Sequence, residues 1–222
     1  MKNKIIPFLI TGIFLLSNHS IISQNSTSEK KLTPFQGDIS FNKTVGSLNL
    51  NYKYYVKDNM VRIEEINKKG MVDAIKIVNL DNKKVIALSP ERKLYLEAPL
   101  RSPAGNIKVE VNKTGNSKNI LGKSCEEIIV TNKEQDRKIV YWVTKGNYGF
   151  FIPMLEALNR KEKQAMYYLK IKGLANYFPM KSTEYILSSG DMVSELVTQV
   201  ITDEDKEEGL FSIPTDYTKF EH

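Results

Sequence analysis

From Leu48 to Lys57 the chain alternates in polarity, with Leu48, Leu50, Tyr52, Tyr54 and Val56 on one side and Asn49, Asn51, Lys53, Tyr55 and Lys57 on the other. A period of two sends successive side chains to opposite faces of a strand, so this segment predicts one dry and one wet face. The same texture, short runs of β-branched and aromatic residues between Asn, Asp, Gly and Lys clusters, extends from Phe35 to Thr144. Turn signals at Lys57-Asp58-Asn59, Asn67 to Gly70, Leu80 to Asn82, Ser89-Pro90-Glu91, Lys113 to Asn116 and Asn132 to Asp136 separate the runs. Consecutive hairpins follow, with strands near 35–42, 47–57, 60–67, 70–79, 83–88, 93–98, 107–114, 123–132 and 137–145.

The period changes at Phe151. Phe151, Leu155, Leu158, Ala165 and Leu169 recur at helical spacing among Arg160, Lys161 and Lys163, which predicts an amphipathic helical segment near residues 151–172. Pro153 suits its first turn and Gly173 its end. Alternation then resumes near 181–188 and 191–202. The apolar Leu210-Phe211-Ser212-Ile213-Pro214, after the acidic run Asp203 to Glu208, predicts a segment that docks on the fold. The class is mainly β (α+β), with an antiparallel sheet of about 11 strands and one helical cap.

The first residues follow another pattern: Lys2 and Lys4, an apolar run from Ile5 to Leu16, and a polar break at Ser17 to Ser20. This is the charged, apolar and polar order of a secretory signal peptide, and its apolar core is shorter than the roughly 20 residues a membrane-spanning helix needs. Residues 1–23 are therefore read as a signal peptide cleaved near Ser23, residues 24–34 as a flexible leader and residues 35–220 as a single domain. The mature chain is expected in the periplasm or outside the cell, without a transmembrane span.

Loss of Lys2 and Lys4 takes the net charge from +6 to +4, and the remaining lysines are scattered along every segment. Nucleic-acid grooves gather basic residues on one face, so no nucleic-acid partner is expected. The single cysteine, Cys125, cannot close an internal disulfide, and Ile128 and Val130 nearby place it at a buried strand position.

Few groups are suited to catalysis. The two histidines are His19, in the leaving signal peptide, and His222, the last residue, so the folded body has no triad, Cys-His pair or His-based zinc site. Glu64 and Glu65, like Glu126 and Glu127, are strand neighbours facing opposite ways and cannot share a site. The run from Asp203 lacks the glycine and final glutamate of a calcium loop. Ser40 to Lys43, Ser47 to Asn49 and Lys113 to Gly115 mimic serine β-lactamase motifs, but the first lies in a strand and the first two are too close together. No glycine-rich phosphate loop occurs. Neither metal nor cofactor is expected, and the chain is read as a non-enzyme.

What remains is apolar. Tyr52, Tyr54, Trp142, Phe151, Met154, Leu155 and Leu158 are the candidate ligand-binding residues, framing a cavity between sheet and helix for a lipid, acyl chain or other hydrophobic ligand. The alternative is a structural or interaction module of the cell envelope with these side chains in a filled core. A continuous apolar cavity above about 300 Å³ favours the first reading and a solid interior the second.

Met60 to Glu64, Ser89-Pro90-Glu91 with Lys93 and Tyr95, Leu121-Gly122 with Cys125, Tyr141 to Thr144, and Leu210-Phe211 with Ile213-Pro214 and Tyr217 together resemble an uncharacterised family of exported Bacteroidetes proteins. That family, a domain of unknown function, is similar in fold to the lipoprotein carriers LolA and LolB. The resemblance implies a curved, unclosed barrel capped by helices over a cavity for acyl chains, with a lipid, a lipoprotein or another envelope protein as partner. It brings no catalytic residues.

Overall fold

In the computed structural model, residues 33–98, 107–159 and 161–221 are described, so the expected signal peptide and nearly all of the leader lie outside the described residues. The hairpins form as the alternation requires: β1 (Gly37–Val45), β2 (Leu48–Lys57), β3 (Met60–Ile66), β4 (Val72–Asn79), β5 (Val85–Ser89), β6 (Leu94–Glu97), β7 (Glu110–Ile120), β8 (Lys123–Asn132) and β9 (Arg137–Lys145). Two helices follow, α1 (Phe151–Leu158) and α2 (Lys163–Tyr168), then β10 (Tyr177–Ile186), β11 (Met192–Asp203), a 3-10 helix at Glu208–Phe211 and β12 (Thr218–Lys219).

All strands join one curved sheet in the order β12-β6-β5-β4-β3-β2-β1-β11-β10-β9-β8-β7. Two antiparallel meanders are thus stitched together where β1 meets β11, and the edges β12 and β7 are not paired with each other. Gly37 opens the β1 to β11 seam, where an added Cβ would lie 1.9 Å from the Thr202 carbonyl oxygen, so no larger residue fits without displacing backbone. Leu121 and Gly122 both take positive φ in the two-residue connection from β7 to β8, the conformation a tight hairpin demands.

Three expectations are corrected. The helical segment near 151–172 is not continuous, because Asn159 adopts a left-handed conformation (φ 41°) that ends α1, its N–H bonding to the Leu155 carbonyl. Lys113 to Asn116 is not a turn, since β7 runs through it and the register with β8 shifts between Lys113 and Ser117. The Thr114 hydroxyl and the Asn116 amide both donate to the Glu127 carboxylate, which holds the bulge. The expected sheet of about 11 strands is observed with 12, the last, Thr218–Lys219, pairing in parallel with β6 and being too short to show a period. On β2 the dry face holds only near its end: Tyr54 and Val56 are buried, whereas Leu48 is 48% exposed.

Each face of the sheet has its own core. Side chains of β1 to β3 and β8 to β10, including Ile39, Val56, Val61, Ile139 and Val143, pack with α1 and α2 on one face, and Cys125 is wholly buried among them. On the opposite face, Ile75, Ile77 and Leu88 pack against Ile213 and Tyr217, while Arg62 donates to the Leu210 carbonyl at 3.0 Å. The expected docking of the C-terminal segment is therefore observed.

Two carboxylates of the acidic run before that segment, Glu204 and Asp205, are paired with lysines, as is Asp38 on β1. Lys206 lies 2.7 Å from Asp38 and 3.1 Å from Glu204, Lys53 lies 3.2 Å from Asp38, and Lys57 lies 3.1 Å from Asp205. Burial would raise the Asp38 carboxyl, but hydrogen bonds and charge from Lys206 and Lys53 outweigh it and hold the group below its ordinary value. A depressed carboxylate contributes stability that is present above its unfolded value of about 3.9 and lost as pH falls through the lower folded value. Asp38→Asn should therefore be less stable than the wild type at neutral pH, with the gap closing below about pH 4. Urea unfolding across that range checks this; a gap independent of pH would contradict a charge-based role.

Candidate functional site

The helices lie on the sheet because α1 and α2 turn their apolar sides to it and bury Phe151, Met154, Leu155, Tyr167 and Tyr168. Aromatic contacts fix the seam. Phe151 meets Phe178 edge-on with ring centres 4.9 Å apart and Tyr168 at 5.1 Å, and Tyr141 meets Tyr168 at 5.5 Å. On β1 and β2, Phe41 stacks on Tyr52 at 5.2 Å and meets Tyr54 edge-on at 4.6 Å. Such pairs are each worth about 0.5–1.5 kcal/mol beyond area burial.

Between these two groups of rings runs a slot. Its walls are Phe41, Tyr52 and Tyr54 on one side and Phe151, Leu155, Leu158 and Ala165 on the helix side, with Tyr141, Tyr168, Phe178 and Leu196 among the other lining residues. Lys43 and Glu162 also line it, 3.7 Å apart. The cavity measures about 70 Å³, well short of the roughly 300–1,000 Å³ typical of pockets that enclose a small molecule. Two shallower concavities are larger, about 280 Å³ beside Asp58, Asp81 and Asn147 and about 250 Å³ beside Leu94, Leu96 and Phe220. The first is more polar, and the second lies along the β5 to β6 edge; neither lies beneath the helices.

The polar atoms of the slot are bonded to one another. Tyr141 donates to the Gln164 carbonyl at 2.6 Å, Ser182 donates to the Gln164 side-chain oxygen at 2.8 Å, and the Gln164 amide donates to the Ser194 hydroxyl at 2.9 Å. Ser194 in turn donates to Glu184, which Arg137 meets at 3.1 Å. The Tyr167 hydroxyl donates to the Gln135 side chain at 2.7 Å. This chain of bonds straps α2 to β9, β10 and β11. Burial drives the Tyr141 and Tyr168 phenols well above the ordinary tyrosine value, and burial with the Glu184 charge pushes Tyr167 up to about 12. All three therefore stay protonated at neutral pH and act as hydrogen-bond donors.

Of the expected ligand-binding residues, the structure brings Tyr52, Tyr54, Phe151, Leu155 and Leu158 together around the slot. Met154 and Trp142 are not among its lining residues. Met154 points from α1 into the packed core, fully buried. Trp142 is on the other face of β9, where the Lys118 ammonium sits 3.8 Å from its ring centre. Sequence reasoning omitted Phe41, Tyr168 and Phe178, and with them Lys43, Glu162 and Gln164. Tyr141 was open to inference from parity, since it shares a face with Ile139 and Val143.

The family described as Domain of unknown function (DUF4412) matches residues 35–217. No curated protein matches the sequence. Among solved structures, an uncharacterised conserved protein from Thermus thermophilus superposes with a TM-score of 0.53 at 10% identity, covering 82% of this chain and 88% of that one. A LolA superfamily protein from Nitrosomonas europaea gives 0.31 at 10% identity, covering 82% and 91%. PNGF-II gives 0.43 at 11% identity, covering 82% of this chain and 30% of that one. The first likeness bears on the fold alone.

Proposed function

We propose, from the premise that the chain belongs to the family described as Domain of unknown function (DUF4412), that it is a non-enzymatic envelope protein which binds an apolar ligand beneath α1 and α2. The observation that carries this reading is the slot itself, walled by aromatic and aliphatic side chains whose neighbouring polar atoms are already bonded. Export rests on the pattern of residues 1–23. Among the described residues no helix is long and apolar enough to cross a membrane.

The volume sets how binding must occur. About 70 Å³ admits a few methylene groups, each contributing about 0.8 kcal/mol, whereas even millimolar affinity requires about 4 kcal/mol. A retained acyl chain therefore requires the helices to part from the sheet, and α1, which ends at Asn159, is a separate helix from α2. The same small volume favours a second reading, an interaction module with a filled core and no small ligand.

Ala165→Leu separates the two by filling the slot from α2 with a residue that suits a helix. Purified wild type is expected to retain or take up lipid, read by mass spectrometry after extraction, and the variant to lose at least most of it without a lower unfolding midpoint. A wild type that binds no lipid, together with an indistinguishable variant, would leave the interaction module.

A further inference from the structure

We propose that the ligand of the slot is a single-chain amphiphile with an anionic head, held by Lys43. The inference rests on the apolar-ligand reading and adds the chemistry of the head group. Lys43 lies on β1 with Leu50 opposite on β2 and Leu196 opposite on β11, so its stem runs between two leucines and its ammonium is delivered to a wall made mostly of rings and aliphatic groups, with Glu162, Gln164 and Ser182 as its other polar members. Its side chain is only 19% exposed.

A cation placed so far out of water calls for a close anion. The carboxylate of Glu162 stands 3.7 Å away and is itself 47% exposed. A well-formed ammonium–carboxylate contact is about 2.7–2.9 Å, and this chain makes such contacts elsewhere, at 2.6 Å between Lys181 and Glu195 and 2.7 Å between Lys206 and Asp38. Lys43 therefore keeps room for a nearer oxygen. Tyr141, Ser182 and Gln164 are bonded among themselves, which leaves Lys43, among the described residues, as the cationic group lining the slot that can choose a head.

With the head on Lys43, the chain of the ligand runs between Phe41 and Tyr52 on the sheet and Leu155 and Leu158 on α1. Glu162 precedes α2 and yields its contact to the incoming anion. Head-group recognition is in this way placed at Glu162, at the start of a helix that must part from the sheet to admit the chain.

The test uses the full-length mature chain and three probes of one chain length: a saturated fatty acid, the corresponding alcohol and the corresponding quaternary ammonium. Calorimetric titration of the wild type should rank the acid about tenfold or more above the alcohol, the size of one charge-assisted hydrogen bond. Lys43→Met, which keeps the length and loses the charge, should remove that preference, so that acid and alcohol bind the variant equally. Glu162→Gln should strengthen acid binding. Equal affinity for acid and alcohol, a preference surviving Lys43→Met, or tightest binding of the ammonium would overturn the anionic head while leaving an apolar site. Failure of all three probes to bind would remove the apolar-ligand reading with it.

Discussion

Phe178→Ala is expected to lower the unfolding free energy by about 3–5 kcal/mol, the cost of deleting a buried phenylalanine from a site that cannot collapse. Phe178 is 1% exposed and belongs to the residues of β10 that face the helices. Its ring meets Phe151 at 4.9 Å, Tyr148 at 5.4 Å and Phe150 at 6.3 Å, so one side chain ties β10 to the segment that leads into α1. The surrounding rings are held by contacts of their own: Phe35 lies between Tyr148 and Phe150, and Phe151 also meets Tyr168. They cannot close over the gap without breaking these pairs. Urea unfolding of wild type and variant at an unchanged m-value measures the loss. Val200→Ala, at an exposed β11 position, should stay within about 0.5 kcal/mol. A loss for Phe178→Ala below about 1 kcal/mol would mean that the ring cluster relaxes freely and that the helices are held elsewhere.

The strands were legible because each carries its own period. Alternation on β2 placed Tyr52 and Tyr54 on the helix-covered face without knowledge of any partner. The same local reading misplaced Trp142, because aromatic character was weighed without parity: its neighbour Tyr141 shares a face with the buried Ile139 and Val143, and Trp142 must then point the other way. On α1, Met154 and Leu155 are adjacent and both apolar, and only tertiary packing decides which one borders a void. Lys43 and Gln164 were invisible for a different reason. A polar side chain enters a site through cross-strand register, here Lys43 opposite Leu196 of β11, and register between strands distant in sequence leaves no trace in either segment. The bulge at Lys113 to Asn116 and the break at Asn159 show the converse limit: residues that favour a turn or a cap mark an irregularity, and the partner strand or helix decides its form.

Met154→Ala and Leu155→Ala should part company in stability and in ligand uptake. Met154 is fully buried and is not among the residues lining the slot, so its truncation opens a new cavity in close-packed core and should cost about 2–5 kcal/mol, toward the upper end of that range. Leu155 already borders the slot and forfeits contacts on that side, so its truncation enlarges an existing space and should cost nearer to about 2 kcal/mol. The order reverses for function: Leu155→Ala changes a wall that touches the ligand chain and should alter lipid retention, while Met154→Ala, measured where it remains folded, should retain lipid as the wild type does. Parallel urea melts and lipid extraction of the two variants give both quantities. Equal, core-sized losses with no difference in lipid retention would show Leu155 to be ordinary packing, and the filled-core interaction module would then replace the ligand-binding reading.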